Sequence, residues 1–289
     1  MDQRIISLYD TFTHGGMDRR SFMVRLSALA GGTAAASALL PMLESNYAIA
    51  QTVAEDDQRI AIETMEIAGA GVPLNGYVAK PRAGGQRPAV IVIHENRGLT
   101  PHIKDVTRRA AVAGYVAFGI DGLSPQGGTP ADEDRAREMF GRLQVPDVVR
   151  WLRATMAALR ARSDVNGKVG AVGFCWGGGV VNQLAVAEPT LDAGVAYYGR
   201  QPAADAVAAI RAPLLLHYAG LDDGINAGIP AYEAALRQHG KRYELFMYPG
   251  VNHAFHNDTA GVRYDRAAAE LSWTRTLDFF RRTLGATAS

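Results

Sequence analysis

The sequence predicts an α/β fold: a doubly wound, mostly parallel sheet with helices on both faces. Three observations carry this. Residues 89–93, Ala-Val-Ile-Val-Ile, are apolar on both faces, as a central parallel strand covered from both sides must be. From there to the C-terminus apolar runs alternate with amphipathic helical stretches, the pattern of a parallel sheet with crossover helices. Finally, the segment from Gly173 to Gly177 turns from a strand straight into a helix.

Two β-like segments, residues 59–67 and 72–80, come first and flank Gly69-Ala70-Gly71, as in a hairpin. After the strand at 89–93, Thr100 and Pro101 supply an N-cap and a first helical residue for a helix running to Gly114. A strand follows at 115–120, then helices at 131–141 and 145–162. In the second of these Val148, Trp151, Leu152, Met156 and Leu159 share one stripe. A strand at 168–174, a helix at 176–187, and strands at 193–198 and 213–218 continue the alternation. A helix at 229–239, a strand at 243–248 and a helix at 264–284 complete it. Trp273, Leu277, Phe280 and Leu284 recur along the last helix as a core-facing stripe.

Composition narrows the function. The 289 residues are 48% hydrophobic and carry 30 Lys+Arg against 29 Asp+Glu, so no basic face exists to neutralise nucleic-acid phosphates or anionic lipid. The single cysteine, Cys175, rules out an intrachain disulfide framework and a Cys-rich zinc site.

Residues 1–50 read as a targeting segment. Residues 26–43 are uncharged, Arg19, Arg20 and Arg25 precede them, and Ala48-Ile49-Ala50 supplies a small-x-small cleavage pattern. The paired arginines and the weak apolar run resemble a twin-arginine export signal. The expectation is recognition by that export machinery, a mature domain of residues 51–289 in the periplasm or medium, and no stable membrane insertion once the signal is gone. An uncleaved anchor is the alternative, weakened by Pro41 and by the low transfer energy of Ala and Gly.

Gly173-Phe174-Cys175-Trp176-Gly177 is a nucleophile elbow. The turn is so tight that residues two before and two after the nucleophile must lack bulk. It lifts Cys175 to a helix N-terminus, where the dipole favours the thiolate. A nucleophile needs a base and an orienting carboxylate. Asp222 follows the strand at 213–218, and His253 follows the strand at 243–248. Nucleophile, acid and histidine in that order is the chain order of α/β-hydrolases. Asp222 is preferred over its neighbour Asp223, and His253 over His256; a His253-x-x-His256 zinc pair lacks a third ligand.

These pieces resemble the dienelactone hydrolases (carboxymethylenebutenolidases). The likeness includes the cysteine elbow with Gly177-Gly178, Asn166-Gly167-Lys168-Val169-Gly170, Tyr197-Tyr198-Gly199, Asn252-His253-Ala254-Phe255, and Glu95 after the strand at 89–93. The resemblance implies a Cys-His-Asp triad that cleaves lactones or activated, enol-type esters through a thioester, with no cofactor and no metal. It also implies that Glu95 holds the resting thiol. Oxyanion stabilisation is expected from the backbone N–H groups of Asn96 and Trp176. The family's two substrate-binding arginines have no counterpart: Asn257 and Leu123-Ser124-Pro125 stand in their places. Arg97 or Arg200, each beside a motif, could replace them. The expected partner is thus a small lactone or ester. A broader carboxylesterase, a non-catalytic exported binding protein and a thiol redox sensor are the rival readings.

Overall fold

The computed structural model describes residues 1–46 and 52–285. Eight strands form one sheet: β1 (Ile60–Glu66), β2 (Asn75–Pro81), β3 (Arg87–Ile93), β4 (Val116–Asp121), β5 (Val165–Phe174), β6 (Ala193–Tyr197), β7 (Leu214–Ala219) and β8 (Tyr243–Tyr248). Their spatial order is β1-β2-β4-β3-β5-β6-β7-β8. β1 and β2 form an antiparallel hairpin, β2 runs antiparallel to β4, and every other pairing is parallel. With these neighbours and the helices on both faces, the chain has an α/β-hydrolase fold.

The period-two alternation of strand side chains divides the interior. On one face Ile91, Ile93 and Ala171 meet Val148, Leu152 and Leu159 of α6 (Val145–Arg160) and Val180 and Leu184 of α7 (Trp176–Ala187). On the other face Val90, Val92 and Val172 meet Ile103 and Val106 of α4 (Pro101–Val112) and Phe279, Phe280 and Leu284 of α10 (Arg266–Leu284). Thr100 caps α4 as its sequence predicts, its side chain accepting from the Ile103 amide. The stripe on α10 joins the core, with Trp273 and Leu277 half-buried against it. Remaining helices are α5 (Glu133–Phe140), α8 (Asp223–Asn226) and α9 (Ile229–Gln238). The sequence did not mark α8, a single turn begun by the Asp222-Asp223 loop.

The N-terminal segment is folded. It forms α1 (Gln3–Thr13), α2 (Arg19–Ala30) and α3 (Thr33–Leu43). Ile5, Tyr9, Phe12, Phe22, Leu26, Ala36 and Leu43 make a small core of their own, in which the Phe12 and Phe22 rings stack at 4.4 Å. The uncharged run is broken at Gly31 and Gly32, both at positive φ, and the helices either side cross at 109°. Among the described residues no single helix is long and apolar enough to cross a membrane. Pro41 sits within α3. The segment packs on the sheet's catalytic edge: Arg263 pairs with Asp10 at 3.1 Å, the Asn46 amide donates to the Thr259 carbonyl, and the Met42 carbonyl abuts Gly261, leaving no space for a Cβ. The cleavage pattern Ala48-Ile49-Ala50 and Gln51 lie outside the described residues.

Candidate active site

The site lies at the carboxyl ends of the central strands, where open α/β sheets place their ligands. At the end of β5, Cys175 takes φ 55° and ψ −117°, a backbone conformation that costs an L-residue of order 1–3 kcal/mol. Two close approaches enforce it. A Cβ on Gly173 would lie 2.1 Å from the Gly177 carbonyl oxygen, and one on Gly177 would lie 2.5 Å from the carbonyl oxygens of Ile93 and His94. The glycines of the elbow thus let α7 lie directly against β3. Cys175 is buried and begins α7, whose first N–H groups, Trp176 included, have no intrahelical acceptor.

His253 follows β8 in a buried turn, and its Nδ1 lies 2.6 Å from Asp222 Oδ2. Asp222 ends the loop after β7, and the adjacent Asp223 opens α8. The carboxylate only accepts, so it fixes the proton on Nδ1 and turns Nε2 toward Cys175. That Nε2 is buried and has no hydrogen-bond partner of its own. Ring nitrogens of His253 and His14 and the Cys175 Sγ all lie within 4.8 Å of one another.

The atom nearest to Sγ comes from an unforeseen residue. His14, at the C-terminus of α1, places Nε2 3.1 Å from Sγ. Sequence reasoning missed it because it falls inside the segment taken as a leader. The available signal was the spacing of Ile5, Ile6, Tyr9 and Phe12, which gives α1 an apolar face to bury.

Glu95 does not occupy the place expected of it. One carboxylate oxygen accepts from Asn257 Nδ2 at 2.7 Å, and the other is buried without a partner; the partner of the thiol is His14. Asn257, which the resemblance sets at an arginine position of the family, is the side chain that Glu95 meets instead. Asn96 lines the same space as Cys175 and Trp176, and its side chain donates to the Thr13 carbonyl at 2.6 Å. His94 supports this loop: its Nδ1 donates to the Glu95 carbonyl and its Nε2 accepts from the Gly122 amide. Burial lowers its pKa and keeps it neutral.

Burial alone would push the Cys175 thiol up, but the charges of His14 and His253 overcome it and bring the thiol down to about 6. Reciprocally, burial would lower the His253 imidazole, whereas the adjacent thiolate and Asp222 hold it well above the ordinary histidine range. His256 is different: burial, with Arg109 and His102 near it, drives it well below that range. Its ring stacks on Phe174 at 4.9 Å, so His253 and His256 do not converge as a zinc pair. His217 is structural, bonded to Tyr248 and Thr276.

Neither proposed arginine is a simple replacement for the family pair. Arg97 is buried and engaged with Glu133 and Asn96. Arg200 is exposed and borders a cavity of about 570 Å³ beside Cys175. Trp176, Phe140, Val145 and Ile225 give this cavity apolar walls, while Thr13, His14 and Arg137 close one side. Ser124, in the loop after β4, donates to the Asp121 carbonyl and Leu123 is buried, so that loop is structural.

The family model for dienelactone hydrolases matches residues 74–284, which include Glu95, Cys175, Asp222 and His253 but not His14. The chain belongs to the dienelactone hydrolase family. A second model, described as YqhI-like, matches residues 1–31. A relative from Saccharolobus solfataricus named "Putative carboxymethylenebutenolidase" is 34% identical over 248 residues, covering 73% of this chain and 95% of the relative. One from Bradyrhizobium, named "Probable 2-oxo-3-(5-oxofuran-2-ylidene)propanoate lactonase", is 32% identical over 243 residues, 78% of this chain and 95% of its own. Among solved structures, a "Putative Dienelactone Hydrolase" from Klebsiella pneumoniae superposes with a TM-score of 0.71 at 28% identity, over 77% of this chain and 99% of that one. As a dienelactone hydrolase-family protein the chain is a hydrolase of ester or lactone bonds.

Proposed function

We propose that this hydrolase cleaves small lactones or activated, enol-type esters with Cys175 as nucleophile and His253 and Asp222 completing a triad. The observation that carries the reading is the elbow cysteine, strained and buried at the start of α7, with the Asp222-bound His253 beside it. Cys175 gives its proton to an imidazole beside it, and the thiolate attacks the carbonyl carbon. The carbonyl electrons move onto oxygen, where the Trp176 and Asn96 amides stabilise them. When the C–O bond breaks, an imidazolium returns the proton to the leaving oxygen and a thioester remains. His253, oriented by Asp222, then takes a proton from water, and the resulting hydroxide releases the acid. A thiolate is easily expelled from a tetrahedral intermediate, so productive acylation needs an oxygen leaving group at least as good; an enolate qualifies and a simple alkoxide does not.

The cavity supports a substrate with an apolar body and room for one anionic group beside Arg200 or Arg137. The test is the release of phenol from an activated aryl ester by the full chain, with and without prior iodoacetamide. A burst stoichiometric with protein and abolished by alkylation is expected. Unchanged turnover after complete alkylation of Cys175 overturns the triad.

Export through the twin-arginine machinery is proposed on the Arg19-Arg20 motif. Both arginines are exposed on the folded segment, Arg19 in surface ion pairs with Asp134 and Glu44. Fractionation of expressing cells tests it, with the segment staying on the folded domain: a chain confined to the cytoplasm rejects export.

A further inference from the structure

The closest polar neighbour of Cys175 arrives from the opposite end of the chain. His14 lies edge-on to His253, ring centres 4.7 Å apart, with Nε2 at 3.1 Å from Sγ. It is not carried by a loose tail. The apolar face of α1 is buried against Phe22 and Leu26. The residue four before it, Asp10, is paired with the buried Arg263, and the Thr13 carbonyl just before it holds the Asn96 side chain. The last turn of α1 is fixed as well, because Arg137 of α5 lies over the Phe12 ring at 4.3 Å.

The hydrogen bonds of His14 determine what it does. Its Nδ1 is 2.6 Å from the Asp10 carbonyl oxygen, which only accepts, so Nδ1 carries a proton. Nε2 then has two states. Unprotonated, it accepts from the thiol S–H; protonated, it donates to the thiolate. The two differ by one proton moved along one hydrogen bond, which makes His14 a base for this thiol. His253 has the same chemistry, but its Nε2 makes no hydrogen bond.

We propose that His14 is a catalytic residue: it takes the Cys175 proton in the resting enzyme and holds the nucleophile as a thiolate–imidazolium pair, the task that the family resemblance gives to Glu95. This rests on Cys175 being the nucleophile. In the step, the S–H bond breaks, both electrons stay on sulfur, and the proton bonds to the Nε2 lone pair. When the thiolate has attacked and the C–O bond breaks, that proton passes from His14 to the leaving oxygen. His253, still bound to Asp222, is thereby left as a neutral base for the water of the second half.

The surroundings fit this division. Facing the pair, besides His253 with Asp222, are Glu95 and Arg97 from the loop after β3, the Arg263 guanidinium, and the Tyr198 ring after β6. Arg137 and Arg200 border the larger cavity. The arginines keep their charge throughout, and Glu95 is tied to Asn257, so the imidazoles are the groups placed to exchange a proton with sulfur. Loss of solvent around its ring would lower the imidazole of His14, a residue otherwise exposed, yet the thiolate beside it holds it above its ordinary value.

The test uses the full chain with His14→Gln and His14→Ala. Gln keeps bulk and a hydrogen-bonding amide but cannot carry the proton; thermal melts check that both variants fold. The rate of iodoacetamide alkylation of Cys175 and the thiolate absorbance near 240 nm are followed across pH. Each alkylation profile is normalised to its own alkaline plateau, so that altered access does not enter. For the natural chain a midpoint of about 6 is expected. In both variants the midpoint moves up by one pH unit or more, making alkylation at pH 6 at least about fivefold slower relative to plateau. A midpoint that stays in place in His14→Gln overturns the proposal. The two readings fail separately: ester turnover that survives alkylation removes Cys175 as nucleophile, whereas turnover lost to alkylation with an unmoved midpoint removes only His14.

Discussion

Asn257 Nδ2 donates to Glu95 Oε2 at 2.7 Å, tying the turn behind His253 to the loop after β3. The same Asn257 accepts from both the amide and the hydroxyl of Thr259, so one side chain spans two of the loops that bound the site. Asn257→Leu should cost about 2 kcal/mol, because it leaves a half-buried carboxylate and the Thr259 donors without partners. Urea unfolding of the two proteins measures this, and a loss within error of zero would mean that water replaces the amide.

Asp222 and Asp223 are adjacent but differ in task. Only Asp222 reaches His253, so Asp222→Asn removes the charge that fixes the tautomer and stabilises the imidazolium. A fall of about a thousandfold in kcat is expected. Asp223→Asn, which alters the first turn of α8, should leave kcat within about threefold of the natural chain. Steady-state kinetics on a lactone panel checks the pair; equal losses would refute the assignment.

The pH dependence of kcat/KM follows from the depressed thiol. Below about 6 the proton stays on sulfur, and activity should fall tenfold per pH unit. Above that value the thiolate is present and the profile levels off, holding while the His14 imidazolium, raised by the thiolate beside it, keeps its proton. The apparent value belongs to the thiol–imidazole cluster as a unit. An acid limb near 8.5, the ordinary thiol value, would show that the histidines do not act on Cys175.

Asp258 joins His102, at 2.8 Å, and Arg109 of α4 to the turn after His253. Burial would raise its carboxyl, but the His102 hydrogen bond and the Arg109 charge hold it well below the ordinary range. A carboxyl depressed in the folded state contributes stability above its unfolded pKa of about 4 and loses it as pH falls below that. Asp258→Ala should therefore lower stability by about 3 kcal/mol at neutral pH, and its denaturation midpoints should fall less steeply between pH 4 and 2. Chemical denaturation at several pH values decides this; parallel curves would contradict it.

Much of this was legible in the chain. The run at 89–93 is apolar on both faces because helices cover both, and the glycines at 173 and 177 announce a turn in which a Cβ collides with backbone. Such features are set by local geometry and survive as sequence pattern. Glu95 was not legible in the same way, because its direction depends on Asn257, 162 residues away. His14 was not legible for another reason: its place beside Cys175 depends on the aromatic packing of Tyr9 and Phe12 on Phe22, which exists only once the segment is folded and leaves no mark in the targeting pattern of residues 1–50.

The docking of α1 also sets a timetable. Its anchors include Asn252, which accepts from Gln3 at 2.6 Å, and Arg263, which pairs with Asp10, so α1 settles only after segments 249 and 253 residues further along have been made. Contacts across such long stretches of chain form late, and domains are completed as synthesis proceeds from the N-terminus. A nascent chain has its strained cysteine in the sheet before the helix that covers it can dock. The surroundings of Cys175 are finished only once residues 252–263 have been made, which makes synthesis through the turn after β8 a condition for a finished site.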